Sequence, residues 1–325
     1  MDGHSDYLII GGGMAGLSAA TALASTGASV TVLDKGRGPG GRMAARRIEV
    51  GGETLRFDHG AQYFTARDPA FVETVAAWER SGVAARWPAA GDDAWVGTPG
   101  MNACVKAMAD DLDVRWGVRA ERLSRDGGSW QVEAGGQTLT AATLLVAVPA
   151  EQAAVLLAEI APSLAALAAS VVSAPCWAAM AAFAEPLTAP DTFRSDNGPV
   201  SWAARNSAKP GRGGSEAWVI HASPSRSRDL IDLPKDEVAQ ILLADFFDAT
   251  GIAPVVPKHI DAHRWLYALP QSLRCEGARF DAAQGIGIAG DWLHSPRVEG
   301  AWLSGLALAQ AAAPSLAPML AAQKV

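Results

Sequence analysis

The first apolar run of the chain, Tyr7-Leu8-Ile9-Ile10, ends at Gly11, and the next, Val30-Thr31-Val32-Leu33, ends at Asp34. Short continuous apolar runs suit strands of a parallel sheet that is buried on both faces. Between them Leu17, Ala20, Leu23 and Ala24 recur at helical spacing, which predicts a helix over 14–25 with Gly27 as its stop. A second helix is predicted over 68–82, where Phe71, Val72, Val75, Ala76 and Trp78 form an apolar face behind Asp68-Pro69. A short helix over 101–110 follows Gly97-Thr98-Pro99-Gly100. A meander is predicted next, with strands over 114–123 and 130–134 about Asp126-Gly127-Gly128 and a third over 138–140 beyond Gly135-Gly136. Leu144-Leu145-Val146-Ala147-Val148, closed by Pro149, reads as another buried parallel strand.

Beyond about residue 151 the pattern changes. Two Ala-rich helical stretches lead to strands at 177–183, 200–203 and 217–222, with Arg- and Gly-rich loops between them. A helix over 236–249 stops at Gly251, and a strand over 255–265 follows. Gly285 to Asp291 is a short strand running into Gly-Asp, and 298–312 is helical.

A chain of 325 residues suggests about two domains. With 49% apolar and 19% charged residues it has ample core. The 27 basic and 34 acidic residues give a net charge of −7, with no long basic stripe, which argues against nucleic acid as a partner. Cys104, Cys176 and Cys275 are odd in number and widely spaced, so they read as reduced core residues with no metal or disulfide role. The segment before Tyr7 has no basic start, so a cytoplasmic location is expected. Residues 152–184 are broken by Glu159, Pro162 and Pro175, and residues 300–320 by Gln310, Pro314 and Pro318. Neither offers the roughly 18 uninterrupted apolar residues of a membrane span, and no membrane partner is expected.

Gly11, Gly13 and Gly16 form G-x-G-x-x-G between a predicted strand and a predicted helix, and Asp34 closes the following strand. In that context the motif is a dinucleotide fingerprint of a Rossmann-type α/β domain. Gly11 permits the tight turn, Gly13 lets the backbone approach a pyrophosphate, and Gly16 lets the helix pack against the strand. Met14 and Ala15 open the helix, whose N–H groups favour an anion. The Asp34 carboxylate suits an adenosine ribose and repels a 2′-phosphate, which points to FAD or NAD rather than NADP. The loop from Lys35 to Arg47, with Gly41, Arg37 and Arg42, can set N–H groups and guanidinium forks against phosphates and favours the flavin.

These motifs, with Gly40-Gly41-Arg42-Met43, Asp58-His59-Gly60-Ala61-Gln62-Tyr63-Phe64-Thr65, Val146-Ala147-Val148-Pro149 and Gly290-Asp291 before Val298-Glu299-Gly300-Ala301, stand in the order of the flavin monoamine oxidase-like superfamily. The chain resembles the bacterial renalases in particular. Asp34 to Met43, Gln62 to Asp68, His263-Arg264-Trp265-Leu266-Tyr267-Ala268 and Arg297 to Gly305 carry that resemblance over nearly the whole chain. It implies an FAD-binding α/β domain with an α+β substrate domain inserted into it. We expect the first to comprise 1–60, 97–155 and 272–325, and the second 61–96 and 156–271.

The resemblance also implies roles. Asp291 would meet the ribityl chain, with Gly290 before it. The helix opening at Val298, Glu299, Gly300 and Ala301 would aim N–H groups at the flavin pyrimidine. Val118 backbone would meet the adenine, and Gly60, Ala61, Gln62 and Tyr63 would lie near the isoalloxazine. The implied reaction is oxidation of off-isomers of reduced nicotinamide dinucleotides, 2-dihydro and possibly 6-dihydro NAD(P). The products would be NAD(P)+ and, after reoxidation by molecular oxygen, hydrogen peroxide. Such chemistry is a metabolite repair that needs aromatic walls and little acid–base help.

Candidate wall residues are Trp265, Tyr267, Trp292, Tyr63 and Trp302, with His263 and Gln62 as hydrogen-bonding groups. Core packing is an equal alternative for each aromatic, and a structural role an even alternative for His263. Arg194, Arg205, Lys209 and Arg212 read first as a solvated loop and second as contacts for substrate phosphates. The C-terminal motif has no Cys, so FAD is expected to bind non-covalently. Two other functions stay open: an amine oxidase, for which Lys258 would be the doubtful active-site lysine, and a flavin-binding protein without turnover.

Overall fold

A computed structural model of the protein describes residues 4–275 and 277–316. The expected FAD-binding segments therefore include residues 1–3, 276 and 317–325 that lie outside the described residues.

His4–Ile10 lies at the centre of an eight-stranded sheet, pairing in parallel with Val30–Asp34 on one side and Gln137–Val146 on the other. Asp113–Trp116 extends the first side and Ile286–Ala289 the second, both in parallel, and Ala278–Asp281 closes that edge antiparallel. Alternate residues face opposite ways along a strand. Ile9, Val32 and Leu145 therefore pack under the helices Met14–Ala24 and Val298–Ala312, while Leu8, Ile10, Leu33 and Leu144 pack over Ala150–Leu157 and Pro162–Ala169. Both faces are covered, which explains the continuous apolar runs. The molecule is thus an α/β protein with a Rossmann-like first domain.

The second sheet has five antiparallel strands in the order Thr192–Arg194, Val200–Arg205, Ala217–Ala222, Ser173–Ala182, His259–Pro270. The helix Lys235–Thr250 covers one face through Val238, Leu242 and Phe246, against Ala179, Ala203, Trp218, Ile220 and Ala262. The other face is covered only in part. Leu55 and Phe57, from the hairpin Ala45–Val50 with Glu53–Asp58, pack on Met180, Ala182, Ala217 and Val219.

Some predicted elements are redrawn. The strand expected over 114–123 is two: Asp113–Trp116 joins the large sheet, and Ala120–Asp126 pairs with Ser129–Ala134. Gly117, at φ +74°, turns the chain between them. The strands expected at 138–140 and 144–148 are one, Gln137–Val146, whose first half pairs with the hairpin and which pairs with His4–Ile10 from Thr140 to Val146. Ala142 and Thr143 interrupt the apolar pattern there, but main-chain pairing does not need apolar side chains. The strand expected at 255–265 is displaced to His259–Pro270. The hairpin at 45–58 was missed, although Ile48, Val50, Leu55 and Phe57 alternate about Gly51-Gly52. Among the described residues no helix is long and apolar enough to cross a membrane.

Candidate functional site

A cleft of about 2010 Å³ runs from the first glycine turn to the uncovered half of the second sheet. At its first end the three glycines differ in what they require. Gly11 sits at φ +113°, and a Cβ there would strike the Ala147 carbonyl. A Cβ on Gly16 would strike the Gly11 carbonyl, so Gly16 serves packing and does not line the cleft. A Cβ on Gly13 would meet nothing within 4 Å, because Gly13 faces the open cleft. Met14 and Ala15 begin a helix with no side-chain cap, so its leading N–H groups point at an anion site. Asp34 lies opposite, its two carboxylate oxygens accepting from the amides of Gly12 (2.7 Å) and Gly36 (2.6 Å). A dinucleotide fits these groups: the turn is bare, the helix end is uncapped, and the carboxylate is oriented by backbone.

Lys35 lies at the rim, donating to Gln152 at 2.9 Å. Val118 lines the cleft, with its amide given to the Asp34 carbonyl at 2.9 Å. Gly41, Met43, Gly60 and Ala61 also line it. Gly60 is required sterically, since a Cβ would strike the Arg42 carbonyl.

Arg42 was expected at a phosphate and Asp291 at the ribityl chain. The fold joins them to each other: the guanidinium fork meets both carboxylate oxygens at 2.7 and 2.8 Å across 249 positions of sequence. Four other expectations change in detail. Trp292 is not a wall residue, for it is buried with its indole N–H on the Val148 carbonyl at 3.2 Å. Trp302 packs on Phe71 with ring centroids 5.3 Å apart and does not line the cleft. Glu299 is buried and turns its carboxylate to the amides of Arg67 (2.6 Å) and Asp68 (2.7 Å), which anchors the segment after Gln62. Gly290 and Gly300 are close-approach positions, where a Cβ would strike the Trp292 indole and the Ser295 carbonyl. Gly290, Val298 and Ala301 line the cleft.

At the far end, strand alternation decides the wall. Met180, Ala182, Ala217 and Val219 lie under the hairpin, so Cys176, His221, Trp202, His263 and Trp265, on the same face, are left to the cleft. Tyr63, Gln62 and Tyr267 complete that end. His59 stacks on Trp265 at 5.2 Å and meets His263 edge-on at 4.9 Å, while the Trp265 indole donates to the His59 carbonyl at 2.8 Å. Arg46, paired with Asp261 at 2.6 Å, approaches His263 Nδ1 at 3.4 Å. Arg194 donates to the Tyr63 hydroxyl at 2.6 Å with its guanidinium 5.0 Å from the Trp202 ring centre. His59 Nδ1 and Trp202 Nε1 are buried polar atoms without a partner among the described residues.

Burial pulls all three cleft histidines down: His59 to about 3, with His263 and Arg46 adding repulsion, His221 to about 4, and His263 to about 4 with Arg46 beside it. At pH 7 each is neutral. Burial likewise pushes the Cys176 thiol up to about 12, so this cleft residue stays protonated.

Behind the wall is a charged cluster that the sequence concealed. Lys209 and Arg212 are not a solvated loop; their side chains are 0% and 1% exposed and both bond Asp58, itself 2% exposed. Arg205 is likewise paired inward, with Glu216 at 2.5 Å. Two guanidinium nitrogens and the Lys209 ammonium meet one Asp58 oxygen, and the Met101 amide donates to the other at 2.9 Å. The cations hold the Asp58 carboxyl below its usual range despite complete burial. Asp58→Ala removes their shared counter-charge and is expected to lower stability by about 3–5 kcal/mol. Urea unfolding reads this directly, and a loss below about 1 kcal/mol, the scale of an exposed pair, would show that the cations do not depend on Asp58. Lys258, the doubtful amine-oxidase lysine, does not line the cleft and pairs with Glu53 at 2.8 Å.

Known proteins place this geometry. Residues 9–78 match the model of an NAD(P)-binding Rossmann-like domain, and residues 88–313 match that of the flavin containing amine oxidoreductases. A carotenoid 3,4-desaturase of Haloarcula japonica is 46% identical over 63 residues, which are 19% of this chain and span only 12% of that protein. A protein of Exiguobacterium sp. 255-15 described as a protoporphyrinogen oxidase superposes with a TM-score of 0.74 at 13% identity, over 94% of this chain and 98% of that one. A putrescine oxidase bound to putrescine superposes with a TM-score of 0.69 at 14% identity, over 98% and 99% of the two chains. At these identities the likeness is one of fold.

Proposed function

We propose that this chain, which belongs to the flavin containing amine oxidoreductase family and is a flavin-dependent oxidoreductase with FAD as its cofactor, oxidises off-isomers of reduced nicotinamide dinucleotides. Bound FAD would accept two electrons from the substrate and pass them to molecular oxygen, giving hydrogen peroxide. The chain's own residues bind, orient and exclude. Trp265, Tyr267, Tyr63 and Trp202 offer aromatic surface to a flat ring. His221 offers a hydrogen bond to a carboxamide.

One observation favours a neutral ring over an ammonium substrate. The inner wall carries three neutral histidines, and the carboxylates behind it are already committed, Asp58 to two cations and Asp261 to Arg46 and Lys235. Asp196, the acid near Arg194, sits on the exposed rim. A substrate ammonium would be desolvated beside a net-positive cluster with no inner carboxylate to meet it. The hydride donor of a dihydronicotinamide needs neither.

The deciding experiment is anaerobic. Purified FAD-loaded protein is mixed separately with 2-dihydroNAD, 6-dihydroNAD, ordinary NADH and a set of amines including putrescine, and flavin bleaching is followed. Fast bleaching by an off-isomer is expected; bleaching by amines alone would sink the proposal and favour the amine oxidase that the family name suggests. FAD released quantitatively by acid would agree with non-covalent binding.

Arg194, at the mouth, suits the diphosphate of a dinucleotide. Arg194→Ala is expected to raise KM for the 2-dihydro dinucleotide about tenfold, the worth of one charge-assisted hydrogen bond. KM for the corresponding mononucleotide, which lacks the adenylate, should change less. Equal changes for both would place Arg194 outside substrate recognition.

A further inference from the structure

The Arg42 guanidinium is not free to meet a phosphate. Its Nη2 and Nη1 lie 2.7 and 2.8 Å from the two Asp291 oxygens, and Nη1 also reaches the Ala268 carbonyl at 3.5 Å. Among the described residues no other side chain or amide bonds that carboxylate. Main chain fixes the rest of Asp291: the Gly290 amide before it donates to Ser304 Oγ at 2.7 Å, and its own carbonyl accepts from the His294 amide at 3.2 Å. The Asp291 side chain is 8% exposed against 31% for Arg42, and both residues line the cleft. The glycine turn is beside them, for a Cβ on Gly41 would lie 3.8 Å from the Gly13 Cα. A desolvated carboxylate therefore stands against Arg42, whose neighbour Gly41 borders the place where a diphosphate must bind. Unpaired, that carboxylate would repel the ligand, and its burial would be unfavourable.

We infer that Arg42 serves the cofactor as the counter-charge of Asp291 and not as a phosphate ligand. It is a positioning residue that acts through the carboxylate it holds. A fork closed on both carboxylate oxygens cancels their charge and fixes their plane. Each oxygen keeps a second lone-pair direction. The pair thus presents a neutral, oriented acceptor, which suits a hydroxyl donor such as the polyol chain of a flavin and gives a phosphate no net charge to meet. The diphosphate is left to the uncapped start of Met14–Ala24 and to Arg37, which lines the cleft with no ion-pair or hydrogen-bond partner among the described residues. The inference needs FAD as the cofactor and no particular substrate, so it stands or falls apart from the dihydronicotinamide reading.

The test is FAD affinity, read from the flavin fluorescence released when loaded full-length protein is diluted. Asp291→Asn loses one charge-assisted acceptor and should weaken FAD about tenfold. Arg42→Met bares the carboxylate and should weaken it about 100-fold. The variant that decides is Arg42→Met combined with Asp291→Asn, which carries neither charge. It should bind FAD more tightly than Arg42→Met alone, so that removing a second group restores affinity. A double variant no tighter than Arg42→Met overturns the inference, because the loss of a phosphate ligand cannot be repaired at Asp291. Salt separates a counter-charge from a mere staple of the fold. Relative to wild type, Arg42→Met should lose less at about 0.5 M than at about 0.05 M ionic strength, since salt screens the bare carboxylate from the diphosphate. A loss that is equal or larger at high salt also overturns the inference. If Arg42→Met does not fold, the double variant, which buries no unpaired charge, is compared with Asp291→Asn. An affinity within about threefold supports the counter-charge, and a larger loss refutes it.

Discussion

Gly13→Val should fold and yet retain no flavin. Its backbone, φ −86° and ψ −173°, is an extended conformation open to a β-branched residue. The added side chain meets no protein atom, because a Cβ there has nothing within 4 Å. It enters instead the space between the uncapped helix end and Asp34, where a pyrophosphate must approach main-chain N–H groups. We expect FAD affinity to fall by at least about 100-fold, roughly 2.7 kcal/mol. The apoprotein should lose only about 1 kcal/mol, from a poorer helix cap. Flavin absorbance after gel filtration and urea unfolding of the apoprotein read the two effects separately. Gly16→Val is the contrast: its side chain is driven into the Gly11 carbonyl, so fold and flavin should be lost together. A yellow Gly13→Val protein would mean that the cofactor lies elsewhere.

Acid should unfold the protein steeply, starting near pH 6. His59, His221 and His263 have folded-state values of about 3, 4 and 4, below the ordinary 6.5. For a base, a lowered value means that the folded state binds fewer protons than the unfolded state. The stability these rings permit is therefore fully present above 6.5 and is lost as pH falls toward about 4. Three such groups give at most about 4 kcal/mol per pH unit, and rather less once screening at the partly exposed rings is allowed for. Urea unfolding of the apoprotein at pH 7, 6 and 5 measures the slope. His59→Gln with His221→Gln should flatten it by about two thirds if the three rings contribute equally. A stability that stays level between pH 7 and 5 would show that these rings can be charged in place.

Much of the large sheet was legible in the sequence because its cause is local. Tyr7 to Ile10 and Val30 to Leu33 are apolar on both faces, and a strand covered by helices on both sides needs no more instruction than that. The glycine turn and Asp34 were legible for the same reason: all their requirements lie within 34 residues. The helix expected at 298–312 is Val298–Ala312 in the structure. The inner wall was not. Cys176, Trp202, His221 and Trp265 come from four strands, and their common face follows from register and from where the hairpin at 45–58 stops covering it. Trp292 and Trp302 illustrate the same limit, since an aromatic residue beside a functional motif reads alike whether it faces a ligand or the core.

The chain alone therefore settled the strand, glycine turn, helix and oriented carboxylate of the first 34 residues, because these depend on turn conformation and helix phase close in sequence. Tertiary structure decided the electrostatics of the other end. Lys209 and Arg212 look like solvated charges until the fold buries them against Asp58, about 150 residues away, and the burial that makes them matter is a property of distant segments.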